Sequence, residues 1–157
     1  MVGPEELREA MRRFPAGIAV LTVHAEGRPL GVTVGSLVSL SLEPPLVGVS
    51  IGRSSQLHEP LLDAGRFVAN VLAGDQAHLA QHFARSVPPI ALWNGIPTRP
   101  SDLAEPLLEG ALAWIECRTR AAHEAGDHTV FVADVLSTEL GRPGPGLVYV
   151  DGEYRSL

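Results

Sequence analysis

The chain has 157 residues, 45% hydrophobic and 19% charged, and 12 Lys and Arg against 18 Asp and Glu leave a formal charge of −6. That length and balance describe one globular domain spanning residues 1–157, and they exclude a disordered chain or a polybasic track for nucleic acid. A lone cysteine, Cys117, the absence of zinc-ligand spacing, and apolar runs too short to span a bilayer predict a cytoplasmic protein with no disulfide, no metal and no membrane contact.

The amino terminus lacks the basic start and apolar stretch of a secretory signal. Leu7, Ala10, Met11 and Phe14 recur at helical spacing behind Pro4 and two glutamates, which predicts an opening helix over residues 4–14. The period then changes. Residues 17–23, 30–42, 46–51 and 66–72 are rich in Val, Leu and Ile and are bounded by Gly, Pro or charge, so they read as four strands. Glu26-Gly27-Arg28-Pro29 supplies a turn between the first two, and Glu43-Pro44-Pro45 separates the second from the third.

Residues 55–63 predict a short helix that Pro60 limits, and a second helix is expected after Asp75 as its cap, with Leu79, Ala80 and Phe83 on one face. Residues 86–106 hold five of the thirteen prolines and read as a long loop, a lid or an interface segment. Strand patterning returns at 111–120, 128–139 and 147–150. The fold class is mainly β with short helices: six or seven strands, mostly antiparallel, in a closed or nearly closed barrel. No G-x-G-x-x-G follows the first strand, so any dinucleotide needs a different holder from a Rossmann turn.

Three segments could carry chemistry. In the stretch from Gly31 to Pro45, Thr33, Ser36, Ser39 and Ser41 interrupt an apolar strand that also holds Gly31 and Gly35. Hydroxyls in a sheet need partners, and either neighbouring strands or a flat polar ligand would serve. Ser50-Ile51-Gly52-Arg53-Ser54-Ser55 lies where a strand gives way to a short helix, an arrangement suited to one phosphate or to plain capping. Gly126-Asp127-His128 is a tight turn that either aims a histidine at a second ligand or leaves it in solvent. His78 and His82, four apart, lack a third ligand, Cys117 reads as a packing residue, and Trp93 and Trp114 read as core or interface anchors.

Taken in order, Phe14-Pro15-Ala16-Gly17, the stretch from Gly31 to Pro45, Gly65-Arg66-Phe67-Val68-Ala69-Asn70-Val71-Leu72, the block from Pro106 to Trp114, Gly126-Asp127-His128 and the ending Leu147-Val148-Tyr149 with Gly152-Glu153-Tyr154-Arg155 resemble the short-chain flavin reductase family. These are the reductase components of two-component flavin monooxygenases, and the resemblance implies the FMN-binding split β-barrel, a Greek-key-like antiparallel barrel. It further implies an NAD(P)H-dependent flavin reductase using FMN, with FAD possible, and NADH or NADPH as co-substrate. Thr33, Val34, Gly35, Ser36, Ser39 and Leu40 would line the isoalloxazine and ribityl groups, and Ser50, Ile51, Gly52, Arg53, Ser54 and Ser55 would receive the phosphate.

By the same resemblance Gly126, Asp127 and His128 would bind the nicotinamide nucleotide, with His128 nearest the reaction, and His82 and Phe83 would touch flavin. A homodimer and a partner monooxygenase that receives reduced flavin are expected. Many relatives carry Asn where this chain has Gly35, so contacts there come from the backbone. The alternatives are an FMN-dependent oxidase resembling pyridoxamine-phosphate oxidases and a non-catalytic flavin- or haem-binding module.

Overall fold

A computed structural model of the chain describes residues 1–63 and 65–157. Its elements begin with α1 (Pro4–Arg12), β1 (Ala16–Gly17), β2 (Ala19–Ala25), β3 (Arg28–Val34), β4 (Val38–Leu42), β5 (Pro45–Gly52), α2 (His58–Leu62) and β6 (Arg66–Val71). They continue with α3 (Ala77–Phe83), β7 (Thr98–Arg99), β8 (Leu107–Leu108), β9 (Ala113–Ala125), β10 (His128–Leu140), β11 (Leu147–Val150) and β12 (Glu153–Ser156).

The main sheet has seven strands in the order β3-β2-β6-β9-β10-β5-β4, and every pairing in it is antiparallel. After the β2–β3 hairpin the chain builds the far edge from β4 and β5 and then returns to lay β6 beside β2, the Greek-key excursion expected of such a barrel. β1, β11 and β12 form a small second sheet, and β7 pairs with β8.

Alternation decides which side chains fill the barrel. Along β2, Ala19, Leu21 and Val23 join the interior cluster, whereas Val20 packs outward with Leu79, Ala80 and Phe83 of α3. Phe67 and Ala69 of β6, Val49 and Ile51 of β5, and Phe131 and Ala133 of β10 complete the interior, with Leu57 and Leu61 entering from the α2 segment. The Glu26-Gly27 turn adopts positive φ at both positions, which suits a two-residue hairpin loop. Gly31 is required by a close approach: a Cβ there would lie 2.8 Å from the Phe83 ring.

Two sequence expectations change, and two features are added. Residues 30–42 are two strands, because Ser36 leaves the β3 line to hydrogen-bond Ser50. Asp75 does not cap α3; Gln76 precedes it, its side chain accepting from the Ala73 N–H at 3.0 Å, while Asp75 pairs with Arg142. The segment 153–156 is strand β12, formed by pairing with β11. The proline-rich loop packs against the barrel: Leu92 is buried and Trp93 Nε1 donates to the Pro29 carbonyl at 3.0 Å.

One buried polar cluster ties that loop region to the barrel. Asn70 donates to the Val20 carbonyl at 3.0 Å and accepts from the Leu108 N–H at 2.8 Å, and Thr22 donates to the Pro106 carbonyl at 2.7 Å. A buried amide is tolerated here because each of its groups has a partner.

Candidate functional site

The two edge strands of the main sheet, β3 and β4, are consecutive in the chain, linked by residues 35–37. Where β3 ends, one side chain bridges to β5: Ser36 Oγ donates to the Ser50 carbonyl at 2.9 Å and accepts from the Ser50 N–H at 3.1 Å. Beside this bridge lies a hollow of about 340 Å³, with residues 32–36 on one bank, 50–52 and Ser55 on the other, and His128 at its margin. A second hollow, about 530 Å³, shares Val32, Gly52 and Ser55 with the first and is bounded by Ser54 and Gln56 on one side and Phe83, Arg85 and Ser86 on the other. Together they form one groove of a size suited to a cofactor.

The second hollow has the donors an anion needs. Among the described residues the backbone N–H groups of Ser54 and Gln56 donate to no protein acceptor, and Arg85 forms no ion pair. Ser55 Oγ accepts from the Leu57 N–H at 3.3 Å, which leaves its own hydrogen for a ligand. Uncommitted amides facing a cation across a hollow fit a phosphate group.

The structure sorts the residues singled out from sequence. Thr33, Val34, Gly35, Ser36, Ser50, Ile51, Gly52, Ser55 and His128 come together in the first hollow, and Ser54 and Phe83 in the second. Two hydroxyls are already engaged: Thr33 Oγ1 donates to the Ala80 carbonyl at 2.6 Å, and Ser36 forms the bridge to Ser50. Their part in the groove is therefore to hold its banks together. Ser39 and Leu40 lie exposed on β4 and do not line it. Arg53 turns to Glu124 at 3.1 Å, and His82 Nε2 bonds the Leu92 carbonyl at 2.6 Å, so neither side chain reaches the groove.

Gln56, Arg85 and Ser86 line the groove without having been singled out. A cation directly after the α3 pattern was the available signal, but placing it opposite Ser54 requires the tertiary fold.

His128 is aimed by its neighbour. Gly126, with φ of +65°, and Asp127 form the turn between β9 and β10, and Asp127 Oδ1 accepts from His128 Nδ1 at 2.7 Å. A carboxylate only accepts, so Nδ1 carries a proton and Nε2 is left for a ligand, as donor when the ring is charged and acceptor when it is neutral. Nε2 lies next to Gly52, where a Cβ would approach it to 3.7 Å. The His128 hydrogen bond, followed by its charge, holds the Asp127 carboxyl below the usual carboxylate range.

Cys117 lies inside the barrel, and burial pushes its thiol up to about 12, so it is a packing residue and no nucleophile at neutral pH. A hollow of about 590 Å³, which meets the second one at Gln56, extends to the opposite end of β3, beside Glu26, Arg28, Glu59, Asp63 and Arg66. Among the described residues no helix is long and apolar enough to cross a membrane.

Comparison with known proteins identifies the family. The flavin reductase like domain family matches residues 11–157. The reductase component of 4-hydroxyphenylacetate 3-monooxygenase from Thermus thermophilus is 36% identical over 153 residues, covering 98% of this chain and 96% of that protein. The FMN reductase (NADH) SmoA of Agrobacterium fabrum is 37% identical over 147 residues, covering 94% of this chain and 82% of that one. Among solved structures, BorF, the flavin reductase component of a bacterial two-component tryptophan halogenase, superposes with a TM-score of 0.90 at 36% identity, over 99% of this chain and 98% of BorF. With the same split barrel and a match across nearly its whole length, this chain belongs to the flavin reductase-like domain family.

Proposed function

We propose that this protein is an NAD(P)H-dependent flavin reductase that binds FMN, or FAD, in the groove at the β3–β5 seam and passes reduced flavin to a partner monooxygenase. The observation that carries this reading is the adjacency of the two hollows: a strand-lined slot bordered by His128 shares Val32, Gly52 and Ser55 with a hollow that holds free amides and Arg85. A bound flavin supplies the two-electron redox chemistry.

The chain's own groups would do the rest. The backbone of residues 33–36 and 50–52, with no Cβ at Gly52 beside His128, lets a flat ring lie close against the strand ends. Ser54, Ser55, Gln56 and Arg85 would hold the phosphate, and Val32 and Phe83 would exclude water from the middle of the groove. His128, steadied by Asp127, would present Nε2 to the carboxamide or phosphates of the nicotinamide nucleotide and so set its distance from the ring. No general acid is needed, because orienting two flat rings is the main demand on the protein.

Residues 1–157 act as one unit in this reading, as a cytoplasmic homodimer. The buried free thiol of Cys117 suits a reducing compartment, and the exposed Leu7, Met11 and Phe14 near α1, with Val38, Leu40 and Leu42 on β4, suit burial by a second copy. The names of relatives support a monooxygenase partner, several being reductase components of such systems. The test is to mix the purified protein anaerobically with FMN or FAD and then with NADH or NADPH. Rapid loss of flavin absorbance is expected; flavin that binds but stays oxidised would instead indicate an oxidase of another substrate or a carrier.

A further inference from the structure

One buried histidine is no part of the groove's lining, yet it links two segments that border it. His58, the first residue of α2, follows the Ser54-Ser55-Gln56 turn after Leu57, and its N–H donates to the Ser55 carbonyl at 3.0 Å. Its ring turns into the end of the barrel, edge-on to Phe131 with ring centres 5.7 Å apart, and Nε2 lies 2.7 Å from Thr129 Oγ1. Thr129 is also buried and follows His128 on β10. Among the described residues Nδ1 has no hydrogen-bond partner, and the exposed Glu59 carboxylate stands 3.5 Å from it. That carboxylate would repel a lone pair, so the proton of the neutral ring belongs on Nδ1, and Nε2 accepts from the Thr129 hydroxyl.

We propose that His58 is a positioning residue, which acts through Thr129 to fix the aim of His128 relative to the phosphate cradle. This rests on the reading of the seam as a flavin groove with His128 at the nicotinamide nucleotide. The β5–β10 ladder ends at the pair Gly52 and His128, and past it the Arg53 N–H donates to the Asp127 carbonyl at 3.0 Å. Successive side chains of a strand leave opposite faces, so holding Thr129 from inside the barrel fixes the roll of the strand end. The direction in which His128 leaves the outer face is set with it. The same histidine holds Ser55 by its main chain, so one residue spaces a donor for the flavin phosphate from the group that meets the nucleotide. Apolar packing of Leu57 and Leu61 keeps the α2 segment on the barrel, and the buried hydroxyl–imidazole bond adds direction to that contact.

The test is steady-state kinetics of the intact protein with saturating FMN and NADH, or NADPH if the native chain oxidises only that. The native chain is compared with His58→Leu, His58→Gln, Thr129→Val, His128→Ala and the double variant His58→Leu/His128→Ala, and a thermal melt of each checks that it is folded at the assay temperature. His58→Leu and Thr129→Val are each expected to raise the KM for the nucleotide about fivefold, the factor for one neutral hydrogen bond, with kcat within about twofold. His58→Gln, whose amide oxygen can accept from the same hydroxyl, is expected to keep the native KM, and His58→Leu to add nothing once His128 is gone. Should His58→Leu melt below the assay temperature, Thr129→Val, alone and with His128→Ala, carries the test. A lowered melting temperature with unchanged KM, or a further rise in KM on top of that in His128→Ala, overturns the positioning role while leaving the seam reading intact. An unchanged KM in His128→Ala removes His128 from the nucleotide and overturns both.

Discussion

The two ends of β3 both open into hollows, yet they differ in nearly every respect that matters to a flavin. At the hairpin end the hollow, about 590 Å³, is comparable in size, but its rim carries Glu26, Glu59 and Asp63 beside Arg28 and Arg66, and Arg66 is held by Glu116 at 2.9 Å. At the seam end the ladder is interrupted, glycine backbone is bare, amides of Ser54 and Gln56 are free, and Arg85 faces them without a partner among the described residues. A phosphate meets three carboxylates among the charges at one end and free amides with a cation and no carboxylate at the other. Size does not separate the two, and the place where the sheet stops bonding to itself is the better guide to the site.

The heaviest perturbation separates scaffold from seam. Asn70→Ala strips partners from the Leu108 N–H and the Val20 carbonyl deep in the wall of the barrel, and it should cost about 3 kcal/mol in urea unfolding. Because Asn70 touches neither hollow, flavin affinity of the folded fraction should be unchanged; a matching loss of affinity would tie the wall to the site. His128→Ala comes next. Steady-state kinetics should show KM for the nicotinamide nucleotide rising about tenfold, with flavin affinity held within about twofold, and an unchanged KM would remove His128 from that role.

Ser36→Ala removes the bridge between β3 and Ser50 and leaves a backbone carbonyl and N–H without their partner. A loss of about 1–2 kcal/mol in stability and a several-fold weaker flavin complex are expected, both readable from one titration series. Glu59→Gln, at the hairpin end, serves as the control that sharpens the contrast, since it should leave flavin affinity and turnover as they were. Cys117 should show the smallest response of all. With its thiol pushed up to about 12 and fully buried, it should stay unreactive toward a thiol reagent at neutral pH until the protein is unfolded.

Much of this was legible in the residues, and the exceptions share a cause. β5 and β6 announce themselves through runs of Val, Leu and Ile ended by Gly, Pro or charge, and Glu26-Gly27 marks its hairpin directly. The break inside residues 30–42 was not legible, because it is made by Ser36 bonding to Ser50 and nothing local in an apolar run signals that contact. Arg53 was attractive on sequence for its place among serines, but Glu124 on a neighbouring hairpin claims it. Arg85 and Gln56 became visible only once α3 was laid against the barrel. Local pattern shows the strands, whereas the unpaired groups that make a site emerge from what the rest of the chain leaves unbonded.

The most direct measurement is backbone hydrogen exchange with and without saturating flavin. Protection is expected at residues 32–36 and 50–56 and in the segment around Arg85, with the hairpin end of β3 near Glu26 unaffected. Protection confined to the segments around Glu26, Glu59 and Arg66 would contradict the account.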